Sequence, residues 1–374
     1  MHASDRYFAE MRTLTRESFR ARQAHSLASL GFGAAGVAFS HWYVGTQRSD
    51  PGLLAEARRW LEIAESFASP PPPSRRSRQS ARAFPFSSLV YGPLGLAFVK
   101  LLVACSAGDS SRERQIEAFT QAVRSCSRGA PSELVQGIAG HLFATAFVYR
   151  RWPDRRLGEL GDRLARRLMV GLEGGSSGPM PVRSPADLTL AHGLLGRHLA
   201  LFSWASAAGF QPPRRLTTAF REAAALALAN PAALCPHPEY DGSLCNGFAG
   251  LAIVAVAAHE ALGDENSIET ARVAMLRALK AGSIDASLCC GRAGLALALM
   301  RVAAQASEEP WRDLAHLQIE SVLSTHPEAW SSEGLVHGRA VIPCLAELLK
   351  GCSESPQSSC ELPPAVIPNL FIYR

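Results

Sequence analysis

The pattern Leu-x-x-Gly-x-x-Gly returns along this chain at intervals of about fifty residues, a period typical of repeat arrays. Six copies are complete: Leu30 to Gly36, Leu89 to Gly95, Leu134 to Gly140, Leu190 to Gly196, Leu244 to Gly250 and Leu288 to Gly294. A seventh, Leu335-Val336-His337-Gly338, lacks the second glycine. After the glycines come runs of small apolar residues such as Leu251 to His259 and Leu295 to Ala304. They are apolar nearly all round and too long for a typical strand, which predicts buried helices. Between copies lie amphipathic stretches, Leu53 to Phe67, Gln115 to Val123, Leu216 to Ala229, Ile268 to Leu279 and Leu314 to Leu323, with apolar residues at spacings of three and four. These predict outer helices with one wet face. An open stack would need polar caps at both ends, whereas seven apolar inner helices predict a closed ring. The reading is therefore all-α: an α/α toroid, or double helical barrel, of about seven outer-helix/inner-helix repeats forming one domain over residues 1–374.

Local chemistry supports the turn in each copy. The residue before the leucine is Ser29, Ser88, Thr189, Ser243 and Ser287 in five copies, a hydroxyl suited to capping. The glycines are expected to adopt positive φ and to let neighbouring inner helices approach closely. Departures from the repeat mark surface segments: a basic, proline-rich loop at 69–82, a Gly/Ser/Pro stretch at 174–185 and a Ser/Pro-rich tail at 351–368.

With 47% hydrophobic and 19% charged residues the chain can bury a sizeable core. Its net charge of +5 is scattered rather than gathered with aromatics into a stripe, so no nucleic-acid partner is expected. Residues 1–23 are rich in Arg, Glu, Asp and Ser and lack the apolar run of a secretory signal, which reads as a cytoplasmic protein. No stretch reaches the ~20 uninterrupted apolar residues of a membrane span. Nine cysteines are too few for a disulfide scaffold of this size and are expected to stay reduced.

A repeat allows comparison within one chain, because equivalent positions face equivalent places. Two positions before the first glycine stand Gly31, Val90, Val135, Ala191, Cys245, Cys289 and Val336. One position before it stand Phe32, Tyr91, Gln136, His192, Asn246, Cys290 and His337. Cys245, Cys289 and Cys290 thus fall in two register-matched turns of adjacent copies. A lone cysteine is often a small buried hydrophobe. Three in matched turns, with a vicinal pair awkward for a core, point instead to a thiolate cluster for Zn2+, whose fourth position stays open as in catalytic sites. Helix N-termini at the turns favour thiolates. Cys235 and His237 lie outside the register, and Cys105, Cys126, Cys344, Cys352 and Cys360 have no partner at metal spacing.

The segments Ser243 to Gly250 and Ser287 to Gly294 resemble the two zinc motifs of lanthionine synthetase C-like (LanC) cyclases, and the repeat register extends the resemblance over almost the whole chain. Cys289-Cys290-Gly291 resembles the subgroup that uses three cysteines rather than a Cys/Cys/His site. The resemblance implies zinc on Cys245, Cys289 and Cys290. It also implies an acid/base role for His192, in Leu190-Ala191-His192-Gly193, and places the family's catalytic aspartate at Glu133, a longer carboxylate. Asn246 replaces the usual aromatic or histidine, and Asp241 stands where some members carry arginine. The activity implied is thioether cyclisation: a substrate cysteine adds to a dehydroalanine or dehydrobutyrine of the same peptide, giving (methyl)lanthionine. His192 protonates the enolate, since histidine titrates near neutrality. The partners implied are a dehydrated precursor peptide and a separate dehydratase. His337 is a second candidate in the histidine column, His198 reads as packing, and the 74–82 stretch reads either as a solvated loop or as a dock for an acidic leader peptide. Two other readings stay open: a non-catalytic zinc- and peptide-binding scaffold, and another zinc-thiolate toroid enzyme acting on thiols.

Overall fold

Every repeat glycine pair closes a turn and opens a helix. The computed structural model describes residues 3–22, 27–68, 87–106, 111–172, 188–234, 237–283, 285–306, 309–325, 330, 333–335 and 338–354. Among them are sixteen α-helices and no strand. After α1 (Ala3–Thr13) and α2 (Arg16–Arg22), inner and outer helices alternate: α3 (Ala34–Gln47), α4 (Pro51–Ala68), α5 (Pro93–Ser106), α6 (Arg112–Cys126), α7 (Ile138–Arg151), α8 (Arg155–Leu172), α9 (Leu194–Ala208) and α10 (Arg214–Ala229). A short α11 (Pro231–Leu234) and a 3-10 turn, Pro238–Tyr240, lead into α12 (Phe248–Leu262), α13 (Glu265–Ala281), α14 (Arg292–Ala306), α15 (Glu309–Leu323) and α16 (Val341–Glu354). The loops read at 69–82 and 174–185 and the tail beyond residue 354 lie outside the described residues.

The two helix classes differ in burial as their sequences require. Inner helix α12 buries every residue from Phe248 to Ala258. Outer helix α4 buries Leu53, Ala57, Trp60, Leu61 and Ala64, one face at spacings of three and four. No described helix is long and apolar enough to cross a membrane.

Of the two roles expected of the repeat glycines, close approach of neighbouring copies is observed and positive φ is not. Gly33, Gly137, Gly193 and Gly247 have φ between −111° and −134°, extended backbone open to any residue. What Gly137 and Gly247 lack room for is a side chain. A Cβ on Gly247 would lie 2.2 Å from the Asp241 carbonyl oxygen, and one on Gly250 would lie 2.2 Å from the Leu244 oxygen and 3.1 Å from the Leu190 Cβ. The second glycine is therefore the seat for the leucine of the preceding copy. Positive φ belongs to helix ends instead: Gly209 (φ 72°) and Gly263 (φ 68°) close α9 and α12.

The described residues pack as two compact units, 130–322 and 3–129 with 323–354. In the unit that holds the first and seventh copies, the seventh lies beside the first, since a Cβ on Gly36 would meet the Leu335 backbone nitrogen at 2.8 Å. That is the neighbour relation a closed array needs. Buried Arg339, just after the seventh glycine, holds Glu333 at 2.9 Å and Glu10 of α1 at 2.8 Å. Burial disfavours its charge, but the two carboxylates outweigh burial and raise its pKa. The other unit contains the third to sixth copies in succession.

Gly250→Ala forces a methyl group onto a backbone oxygen that cannot move without shifting its turn. The expected loss is about 2–4 kcal/mol of unfolding free energy in urea titration, at the upper end of overpacking costs. Gly129→Asn, at φ 71° with open space around it, should stay within about 1 kcal/mol of the parent.

Candidate functional site

Adjacent turns are joined through their backbones. The residue two before the first glycine donates its N–H to the carbonyl of its counterpart in the next copy. Val135 N reaches Ala191 O at 3.3 Å, Ala191 N reaches Cys245 O at 3.1 Å, and Cys245 N reaches Cys289 O at 3.3 Å. In the other unit Gly31 N reaches Val90 O at 2.9 Å in the same way. Four successive turns thus form a row, and side chains in matching columns must converge. Within each turn a side chain from the residue before the leucine accepts the N–H three positions on. Thr189 Oγ1 takes His192 N at 3.2 Å, Ser243 Oγ takes Asn246 N at 3.1 Å, and Ser287 Oγ takes Cys290 N at 3.3 Å. Ser29 and Ser88 do likewise for Phe32 and Tyr91.

The row gathers the three cysteines. Cys245 Sγ lies 3.3 Å from Cys290 Sγ, and Cys290 Sγ lies 3.2 Å from Cys289 Sγ. All three sulfurs fall within 4.8 Å of one another and all three residues are buried. Three tetrahedral thiolate ligands at ~2.3 Å from one ion would stand ~3.8 Å apart, inside the spread observed here. Soft, closely spaced sulfur donors fit a thiophilic divalent ion. Without one the thiols hold their protons. Burial pushes Cys289 well above its ordinary pKa, with hydrogen bonds to Cys245 and Cys290 adding to the rise. The hydrogen bond to Cys245 raises Cys290, the bond to Cys289 partly offsets this, and burial, Cys245 and Asp285 raise it again.

The same row brings His192 and Glu133 together. Glu133 occupies the column where five other copies carry serine or threonine, and its Oε1 performs their task by accepting Gln136 N at 3.1 Å. Its other oxygen, Oε2, binds His192 Nδ1. The side chain of Glu133 is 10% exposed and that of His192 33%, so the imidazole is reachable from solvent while its anchor is sheltered. The contact places Nδ1 as the nitrogen facing the carboxylate.

The remaining sequence candidates separate from this cluster. His198 is fully buried with Nδ1 on Leu194 O, and burial lowers its pKa to about 4, as befits a packing residue. His237 lies 3.8 Å from Glu239, on the surface. Tyr91 stacks on Phe32 at 5.3 Å in the other unit. His337, Cys235 and Cys360 lie outside the described residues, as does the side chain of Cys352. Asp285 was missed by the sequence reading. Its carboxylate accepts Ser287 N at 2.7 Å, and its charge bears on Cys290. The signal was there: Asp241 and Asp285 share a register six positions before the first glycines of the two cysteine motifs. Burial raises the Asp241 carboxyl, with repulsion from Glu239 adding.

Residues 27–340 match the family model of lanthionine synthetase C-like proteins. The chain belongs to the lanthionine synthetase C-like family. Thirteen solved chains match its structure. Among them, nisin cyclase superposes with a TM-score of 0.69 over 97% of each chain at 13% identity. This likeness shows the fold: an all-α protein of the α/α-toroid class. No curated protein matches the chain in sequence.

The cluster predicts uptake of one thiophilic ion per chain, readable as sulfur-to-Co2+ charge-transfer absorption on cobalt titration and abolished by Cys289→Ala. Ligation must displace protons from Cys289 and Cys290, whose pKa values are raised, so affinity should rise with pH across the neutral range. These two protons alone give about 100-fold per pH unit, a lower bound for three thiol ligands.

Proposed function

We propose that this protein is a zinc-dependent peptide cyclase that joins cysteine thiols to dehydroalanine or dehydrobutyrine residues of a dehydrated ribosomal peptide, forming (methyl)lanthionine rings. One observation carries the reading: a metal-competent cysteine triad and a carboxylate-held imidazole lie on four consecutive, hydrogen-bonded turns. Family membership and the nisin cyclase fold support it.

The reaction is an addition without loss of atoms. The substrate S–H proton passes to His192 Nε2, sulfur bonds to the alkene β-carbon, and the imidazolium returns a proton to the α-carbon, so that every proton is accounted for. Cys245, Cys289 and Cys290 would hold the zinc, which when bound would supply the Lewis acidity for a substrate thiol to ionise near neutral pH. Glu133 Oε2 faces His192 Nδ1 and fixes the ring and its tautomer. His192 Nε2 delivers the proton to the α-carbon as the enolate collapses. Asn246 stands between His192 and Cys290 in the column one before the glycine, where it contributes a neutral polar group. The alkene is made elsewhere, by a dehydrating partner.

The direct test incubates the full chain with a dehydrated, cysteine-containing peptide and counts free thiols by alkylation and mass spectrometry, with and without a zinc chelator. Thiols should disappear only when zinc is retained. Thiols that persist on a zinc-loaded protein would overturn the cyclase reading in favour of a peptide-binding scaffold.

Two substitutions apportion the roles. Glu133→Gln keeps an oxygen for the turn but presents an amide to His192 Nδ1, reversing the tautomer. Its kcat should fall about 10²–10⁴-fold, the range of a general acid, with little change in melting temperature. Cys290→His replaces a thiolate by a neutral ligand, so the site loses a negative charge that keeps the substrate sulfur electron-rich. Cyclisation should slow on the same peptide, and an equal or faster variant would contradict the assignment.

A further inference from the structure

A second binding feature lies on the outer layer of the unit that carries the cysteines. Outer helices α8 and α10 both lean on inner helix α9, but α10 packs far less closely on α9 than α13 does on α12. The gap is a groove of about 510 Å³. Its base is the buried Trp204, which packs against α8 where Gly161 has no side chain: a Cβ there would stand 2.2 Å from the indole ring. The indole N–H is tied to Asp162 Oδ1 at 3.2 Å, which fixes the ring and engages the one acidic residue of the lining. Trp204 sits eleven residues beyond Gly193, about 16 Å along the helix axis from the His192 turn, so the groove is separate from the metal-competent cluster.

Two observations define what the groove accepts. Its edges carry apolar side chains in water, Val170 of α8 at 69% and Phe210 of the α9–α10 loop at 44% exposure. Its rim is basic, with Arg166 on α8 and Arg215 at the start of α10. Arg166 pairs with no carboxylate among the described residues, while the neighbouring arginines Arg155 and Arg156 are matched by Glu159 and Asp154. The lining positions on α8 run from 162 to 170 at spacings of three and four, about 12 Å of helix, which suits an elongated occupant rather than a compact one.

We propose that this groove docks an acidic peptide segment bearing apolar anchor residues, with its carboxylates on Arg166 and Arg215 and its apolar side chains over Trp204 between Val170 and Phe210. It is an exosite: it binds a stretch of peptide remote from the chemistry and holds without any assumption about what the metal-competent cluster does.

The test uses fluorescence polarisation on the full chain with three labelled sixteen-residue probes. One combines glutamates with leucines at helical spacing, one replaces its glutamates by lysines, and one replaces its leucines by serines. The first probe should bind, and both others should bind at least about tenfold more weakly. Arg166→Glu with Arg215→Glu should weaken the first probe about tenfold or more, and Phe210→Ser about fivefold. These positions are exposed, and unchanged melting curves verify that the variants fold. Equal binding of the lysine or serine probe would overturn the proposal, as would variants that bind like the parent. Self-association in sedimentation that Phe210→Asp abolishes, with no probe binding, would also overturn it and assign the groove to a second copy of the chain.

Discussion

The backbone hydrogen bond from one glycine turn to the next is the constraint on which the site depends. It fixes the residue two before the glycine against its counterpart in the neighbouring copy, so that Val135, Ala191, Cys245 and Cys289 follow one another along a single row. The bond can form only because the turns approach closely, and the approach is possible only because the second glycine leaves room for the preceding copy's leucine. Repeat, close packing and site are one consequence of the same steric fact. Once Cys245 N binds Cys289 O, two cysteines in that column cannot avoid each other, and Cys290, one residue on, completes the triad.

Three buried thiols at such short range are an unfavourable arrangement for an apolar core and a favourable one for a metal. Burial and the contacts with Cys245 and Cys290 raise the cost of ionising Cys289, the contact with Cys245 and burial raise that of Cys290, and Asp285 adds its charge to the effect on Cys290. A divalent cation reverses the balance, because the thiolates it stabilises are the ones that burial penalises. The helices that begin at Gly247 and after Gly291 turn their N-terminal ends toward the cysteine turns, which favours negative charge there.

Much of this was legible in the sequence because a repeat supplies its own control. Cys245 and Cys289 stand out only against the apolar residues of their column, and the inner and outer helices separate cleanly by periodicity. The close approach expected of the glycines holds, while the positive φ expected of them does not, for a physical reason: a sequence shows that a side chain is absent but not whether torsion or space required it. Here space did, since Gly247 at φ −121° would strain no other residue, yet its Cβ position is filled by the Asp241 carbonyl. The clasp of Arg339 on Glu10 was also illegible, because its partners lie 329 residues apart and share no pattern. The α8–α10 groove escaped notice because it arises from how loosely one outer helix packs, a property of the unit rather than of any motif.

Glu133 shows how a departure from the register can be functional without breaking the turn. A serine in its column has one oxygen, which the backbone consumes. A glutamate has two, and its longer reach carries the second to the next copy while the first still accepts Gln136 N. The orientation of His192 is therefore coupled to the turn cap of its neighbour. The ring cannot leave Oε2 by a movement of Glu133 without also releasing the Gln136 N–H, and His192's own backbone is held by Thr189. An imidazole so tied has little orientational freedom to lose, which is the preorganisation that the proton delivery proposed for it would demand. The same row of hydrogen bonds that makes three cysteines meet thus also sets the histidine beside them.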